Sequence, residues 1–452
     1  MGQETNLSPE GVSSLLDTDL YKLTMQCAIL KYFPDVYVTY GFTNRTPHMK
    51  LRRGAYKWLL QQMEKLATLR VTADERAFLK RKCPYLNDSY ITFLETFQLK
   101  PDEQVEIKFT PTQDTGSDED EGTIDYVVKG LWLDTILYEI PLLALTSQAY
   151  FMFSEKDWDY EDQEEKAFRK GSTLLENGCV FSEFGTRRRR DYHTQDIVMK
   201  GLIRAAEEGR KNGWKGALTG TSNVHFAMKY DVNAVGTVAH EWYMTIAAIT
   251  DDYENANELA LQYWLGCFGE GVLGIALTDT FGTPAFLDAF RKPISTPDQQ
   301  DEVQSSKTYA QTYTGVRQDS GDPSQFVKIV REFYDREGIT DKKTVVFSDS
   351  LDIESCLRYK ALAEESGFIP SFGVGTFFTN DYLNKTNGEK SKPLNIVIKI
   401  SAANGRPAVK LSDNMGKNTG DSAKVAEVKK KLGYVEQSGV QIDESNRWTQ
   451  KA

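Results

Sequence analysis

From residue 179 to residue 381 one pattern recurs: a short run of apolar, largely β-forming residues stops at a knot of Gly, Thr, Ser, Asp, Arg or His. Seven such endings occur: CVFSEFGTRRRR (179–190), GALTGTSN (216–223), NAVGTVAHEW (233–242), GIALTDTFG (274–282), YTGVRQDSGDP (313–323), TVVFSDSLD (344–352) and PSFGVGTFFTND (370–381). Helical stretches lie between them, as at 191–210, where Val198, Leu202 and Ala206 fall on one face. Parallel strands need a long crossover, usually a helix, so this alternation predicts a parallel sheet. Polar strand endings in series predict a β/α barrel whose binding groups gather beyond the carboxyl ends of its strands.

The flanks read differently. The pieces VYVTYGFTNR (36–45), VEIKFTPTQ (105–113) and TIDYVVKGLW (123–132) alternate in a way that predicts antiparallel strands, with helices at 54–66 and 73–82. Between the last two strands, DTGSDEDEG (114–122) is too acidic and glycine-rich to bury and is expected to be a mobile hairpin tip, not a metal site. After Pro393, residues 394–413 predict a hairpin turning at Asn404 and Gly405 and returning to the first sheet. Lys429, Lys430 and Lys431 on a tail helix near 424–432 read as a solvated face. The expected division is one α/β domain from 1–150 with 390–452, and a barrel domain at 151–389.

Bulk properties narrow the function. A net charge of -11 argues against a dedicated nucleic-acid binder and for a small-molecule partner. Five cysteines, odd in number and without a CxxC pair, indicate neither a disulfide framework nor a zinc site; cytoplasmic residence is expected, with the nucleus left open. The start is polar, Asn6 stands where a myristoylation pattern needs Ser or Thr, and no run is expected to span a bilayer, so no membrane partner is expected. Walker A and GxGxxG sequences are both missing.

Of four histidines, His48, His193 and His225 read as structural or surface residues. His240 ends the run through Gly236, Thr237 and Ala239 and precedes Glu241, a position for a proton carrier or for a nitrogen that accepts a phosphoryl group. The arginine run 187–190 supplies planar cations for carboxylates and phosphates. On an extended segment Arg187 and Arg189 would face one way and Arg188 and Arg190 the other, so one pair would reach the site. Arg317, Asp319 and Asp322 combine one cation with carboxylates able to hold ribose hydroxyls or magnesium, although Asp322 with Pro323 reads equally well as a helix start. Gly373 and Gly375 before Thr376 leave backbone N–H groups open to an anion, and Asp349 and Ser350 stand between a strand and a helix start.

SLLDTDLYKLTM (14–25), FGTRRRR (184–190), GTSN (220–223), GTVAHEW (236–242), VRQDSGDP (316–323), FSDSLD (347–352) and GVGTFFTND (373–381) together resemble, in order and over nearly the whole chain, the nicotinate phosphoribosyltransferase family. The resemblance implies an α/β fold: an irregular, incomplete β/α barrel joined to an open α/β sandwich that receives the C-terminal strands. It implies an ATP-dependent enzyme of the carbon–nitrogen ligase type. The expected reaction joins nicotinate to phosphoribosyl pyrophosphate, giving nicotinate mononucleotide and pyrophosphate for NAD biosynthesis, with Mg2+ accompanying phosphoribosyl pyrophosphate and ATP. His240 would be a phosphohistidine. By the same resemblance Tyr21, Thr237 and Arg317 contact nicotinate, Phe184 stacks on the pyridine opposite Tyr21, and Arg187 and Asp319 line the pocket. Thr376 would contact the 5'-phosphate, with Arg189, Asp349, Ser350, Gly373 and Gly375 also on the phosphoribosyl side; Lys399, Lys410 and Arg45, on sandwich strands, would face pyrophosphate. In a relative the Tyr21 counterpart comes from the other subunit, which implies a homodimer.

The expected chemistry is displacement at the anomeric carbon, with Asp319 favouring the cationic sugar. The alternative is a barrel glycoside or nucleoside hydrolase using Asp279, Asp319 and Asp349. A hydrolase of neutral sugars has little use for Arg187, Arg189, Arg317 and the GVGT loop. A noncatalytic scaffold would be expected to have lost one of His240, Arg317, Asp319 or Thr376.

Overall fold

A computed structural model describes residues 10–298, 305–414 and 418–434; the extreme N-terminus with Asn6 lies outside the described residues. Its strands are β1 (Tyr37–Asn44), β2 (Leu51–Arg52), β3 (Val105–Pro111), β4 (Glu121–Leu131), β5 (Val180–Glu183), β6 (Ala217–Thr221), β7 (Ile275–Leu277), β8 (Gly315–Gln318), β9 (Thr344–Phe347), β10 (Ile369–Val374), β11 (Ile396–Ala403) and β12 (Arg406–Pro407). They form two sheets. In one, the order is β6-β5-β10-β9-β8-β7 and every adjacent pair is parallel. Helices such as Tyr192–Asn212, Pro323–Arg336 and Ile353–Glu365 make the crossovers. Aromatic side chains on neighbouring strands fill its interior; Phe347 of β9 stacks on Phe372 of β10 with centroids 5.6 Å apart.

Six of the seven polar endings close a parallel strand, and the seventh does not. Residues 233–239 run irregularly between the two sheet edges. The amide of Val235 donates to Thr221 on β6 at 2.9 Å, and the Thr237 hydroxyl donates to Ile275 on β7 at 3.1 Å. Gly236 has φ +152, and any Cβ on Gly220 would collide with the Asn233 carbonyl, so two glycines permit a close crossing in place of a pleated ladder. In consequence His240 opens the helix His240–Thr250 instead of ending a strand.

The second sheet is antiparallel, ordered β12-β11-β1-β4-β2 with β3 on β4. β11 pairs along β1 with Gly41 opposite Lys399, so late sequence completes a sheet begun by early sequence. The hairpin turns at Asn404 and Gly405, with φ +47 and +75, the left-handed pair that a tight two-residue hairpin requires. Helices Arg53–Leu66 and Ala73–Lys82 are present, the second opened by a capping box between Thr72 and Glu75. Most buried apolar side chains form one contiguous cluster running through both sheets.

The stretch 114–122 closes the β3–β4 hairpin with 114–119 exposed, as expected, while the expectation of no membrane-length run gives way. The acidic stretch 114–122 is pinned: Arg53 grips Asp114 at 2.6 Å and Asp120 at 2.9 Å, Lys57 meets Asp118 at 2.5 Å, and Arg52 pairs with Glu119. Cations distant in sequence cancel the repulsion that composition suggests, and Asp120 is buried. Moreover, a continuous helical run, Trp132–Phe153, is 22 residues long and apolar enough by composition to cross a membrane. In the fold it is mostly buried, and its part Glu139–Phe153 packs on helix Arg53–Leu66, β2 and β11.

Candidate active site

Side chains from both sheets meet in one cavity, with His240 on its wall. The imidazole stands at the first turn of its helix, after an extended Ala239. Nδ1 lies 3.0 Å from the Thr280 hydroxyl, while Nε2 lies 3.0 Å from Asp319 Oδ2 and 2.9 Å from Lys410 Nζ. Burial, then the Lys410 ammonium, pushes the imidazole down to about 4, so the ring is neutral near pH 7. With its proton on Nδ1 toward Thr280, the ring presents its Nε2 lone pair to Lys410; in the other tautomer Asp319 accepts from Nε2–H. Although burial raises the Asp319 carboxyl, Arg317, His240 and Lys410 outweigh it and hold the group well below the carboxylate range. Asp279, 3.8 Å from His240, accepts from the Ser320 hydroxyl and is likewise lowered, Lys410 and His240 outweighing burial. One ligand atom each from His240, Asp279 and Asp319 lie within 4.8 Å of one another, which would suit a cation. Lys410 Nζ, 3.3 Å from Asp279, already supplies that charge.

Aromatic and cationic side chains line the cavity as well. Tyr21, on helix Leu20–Tyr32, and Phe184, just past β5, line the cavity from the same chain. A Cβ at Gly373 would overlap the Phe184 ring, so that glycine reserves the ring's space. Arg317 donates to the Val238 carbonyl at 3.1 Å and lies 3.5 Å from Asp319, and Arg187 lies 3.7 Å from Glu139. Burial, then the Glu139 charge, raises the Tyr21 phenol well above its ordinary range, so it stays neutral. Lys399 of β11 is drawn down to about 8 by burial, which the Glu139 charge only partly offsets.

Tyr21, Phe184, Arg187, Thr237, His240, Arg317, Asp319, Ser350, Gly373, Gly375, Thr376 and Lys399 therefore share the cavity wall. Lys410 reaches it through His240, and it lies past β12, in an isolated bridge with Thr419. Three candidates fall elsewhere. Arg189 is buried in a two-pronged pair with Asp17, at 2.8 and 2.7 Å. Residues Thr186–Arg188 form a 3-10 turn instead of an extended segment, which sends Arg187 and Arg188 to the cavity and Arg190 in among Phe151, Tyr382 and Trp158. Asp349 is off the wall, and helix Ile353–Glu365 is capped by Asp352. Arg45 stands one residue past β1, its amide bonded to Asn395. Sequence reasoning missed Asp19, Glu139 and Ser348 on the wall. Asp19 sits within the DTDLYK motif, and Glu139 is a lone carboxylate at the head of an apolar helix, which is a usable signal.

Residues 179–436 match the nicotinate phosphoribosyltransferase (NAPRTase) family, and residues 16–147 match the N-terminal domain of that family. This chain belongs to the nicotinate phosphoribosyltransferase family. It is 46% identical over 453 residues to the nicotinate phosphoribosyltransferase of Saccharomyces cerevisiae, covering 98% of this chain and 100% of that protein. A solved Saccharomyces cerevisiae structure of the same family superposes with a TM-score of 0.87 at 45% identity, over 95% of this chain and 100% of that one. The nicotinate phosphoribosyltransferase of Porphyromonas gingivalis superposes with a TM-score of 0.80 at 33% identity, over 93% and 100%. Family membership overturns the hydrolase reading, and the site agrees: Asp279 is engaged by Ser320 and Lys410, and Asp349 is off the cavity wall.

Proposed function

We propose that this nicotinate phosphoribosyltransferase joins nicotinate to phosphoribosyl pyrophosphate, giving nicotinate mononucleotide and pyrophosphate for NAD biosynthesis, with ATP phosphorylating His240. The observation that carries this reading is the meeting, in one cavity, of the Tyr21 and Phe184 rings, three guanidinium groups and a neutral buried imidazole beside an ammonium. Nicotinate lies between Tyr21 and Phe184, its carboxylate toward Arg317 with Thr237 beside it. Its ring nitrogen attacks the anomeric carbon as the bond to pyrophosphate breaks, and no general base is needed because that nitrogen carries a free pair. Asp319 stabilises the cationic sugar and Arg187 lines the nicotinate pocket, while Lys399 receives the departing pyrophosphate, which leaves with the Mg2+ it arrived with. Ser350, Gly375 and Thr376 take the 5'-phosphate. At His240, the Nε2–phosphorus bond forms as the bond from the γ-phosphorus to the β-bridging oxygen breaks, and the ring proton stays on Nδ1 toward Thr280.

The fold reading that accompanies this function is an irregular barrel, with 233–239 bridging its open edge, joined to a sandwich; the domains are 151–389 and 1–150 with 390–452. The homodimer was expected on the ground of a clamp tyrosine supplied by a second subunit. Because Tyr21 of the same chain lines this cavity, the proposed catalysis needs no second subunit, and activity per chain is expected to survive dilution. The cytoplasm is the proposed compartment, with the nucleus also open to it, in keeping with five free cysteines. Purified protein incubated with labelled nicotinate, phosphoribosyl pyrophosphate, Mg2+ and ATP tests the function: nicotinate mononucleotide must form, and nicotinamide must be used far less. Arg317→Gln is expected to cost about 10- to 150-fold in kcat/KM for nicotinate, the loss of one charged hydrogen bond of roughly 1.5–3 kcal/mol.

A further inference from the structure

A buried ion cluster joins the two ends of the cavity, and the mechanism above gives it no task. Lys22 is wholly buried, with its ammonium 2.6 Å from Glu139 and in contact with Glu241. Glu241 also accepts from the Tyr40 hydroxyl at 2.5 Å and from the Trp132 indole N–H at 2.7 Å, so its carboxylate is fixed from three sides. Glu139 lies 3.7 Å from Arg187. Lys22 follows Tyr21 on helix Leu20–Tyr32, and Glu241 follows His240 on helix His240–Thr250. Buried ion pairs contribute little net stability once desolvation is counted, and their best-attested use is to fix the register of the parts they join. The parts joined here are the ring clamp and the helix turn that carries the imidazole.

We propose that Lys22 is a positioning residue that transmits the state of His240 to the nicotinate clamp, through Glu241 on one side and Tyr21, Glu139 and Arg187 on the other. This rests on the phosphohistidine reading. A phosphoryl group on His240 brings negative charge to the first turn of its helix and competes for Lys410. Any shift of that turn moves Glu241, and Lys22 carries the shift to the backbone of Tyr21 and to the Glu139–Arg187 pair.

The test compares nicotinate KM and kcat with and without ATP, alongside ATP hydrolysis, in full-length wild type, Lys22→Met and Glu241→Gln. In the wild type ATP is expected to lower the nicotinate KM by about tenfold, a common size for coupling between sites. In Lys22→Met, ATP hydrolysis persists while that ratio falls toward one. A residue that merely supports the fold would depress hydrolysis, kcat and affinity together and leave the ratio intact, and that result overturns the proposal. Should Lys22→Met fail to fold, Glu241→Gln decides, since it keeps the Lys22–Glu139 pair and removes only the charge that His240's helix presents to Lys22; an unchanged ratio there also overturns the proposal. If the wild type itself shows no phosphohistidine and no ratio, the underlying reading of His240 fails first, and the coupling falls with it.

Discussion

At the scale of single residues, the site depends on keeping some groups neutral and others charged. His240 is held near 4, whereas an ordinary histidine titrates near ~6.5. Phosphohistidine formation, followed by quenched flow, is therefore expected to stay flat through pH ~6.5 and to fall only toward the lower value; an acid limb at ~6.5 would contradict the assignment. The same shift has a cost in stability. The unfolded chain binds a proton as pH drops below ~6.5 and the native one does not, so His240 subtracts stability progressively from that point down to about 4. Lys399 sets the opposite limb. Its cationic form is lost as pH rises through about 8, so KM for phosphoribosyl pyrophosphate is expected to climb there, and Lys399→Arg should move that limb upward. The arginine run shows where reading a sequence stops: four identical neighbours carry no mark of direction, and only the turn at Thr186–Arg188 decides which of them reach the cavity.

Among elements, the six regular parallel strands were legible because their residues suit pleated backbone and their endings are polar. The segment 233–239 carries the same local signature and was misread, because what prevents a strand is its crossing against Gly220 and Thr221 of β6, at glycines whose partners are fixed only in the folded chain. The acidic stretch 114–122 was legible as an exposed hairpin tip, but its ion pairs were not, since Arg52, Arg53 and Lys57 reach it from some 60 residues away in the chain. Gly373 offers a test at this scale. Gly373→Ala puts a methyl group into the Phe184 ring, so β10 and the loop after β5 must separate or the ring must turn. Nicotinate KM is expected to rise several-fold more than KM for phosphoribosyl pyrophosphate, with about 1–3 kcal/mol lost in stability by denaturant titration.

Over the whole molecule, the cavity draws Lys399 and Tyr21 from one side of the fold and Phe184, Arg317 and Thr376 from the other, while a single apolar cluster runs beneath them. Ligand bound there braces both sheets at once. At about 100 times its dissociation constant, phosphoribosyl pyrophosphate is expected to add roughly 2.7 kcal/mol to the native state. Fluorescence should show Trp58, on helix Arg53–Leu66 against the antiparallel sheet, and Trp214, just before β6 of the parallel sheet, losing structure together at the raised temperature; a shift confined to one of them would show that the ligand braces only one sheet. The return of β11 to β1 was legible from its Asn-Gly turn, yet the contact of Lys410 with His240 was not, because nothing local to residue 410 refers to residue 240. That return has a consequence for synthesis. A nascent chain still held at the ribosome before residue 396 has emerged lacks one flank of its first sheet, and before residue 410 it lacks the ammonium beside its imidazole, so products terminated short of residue 410 are expected to be inert.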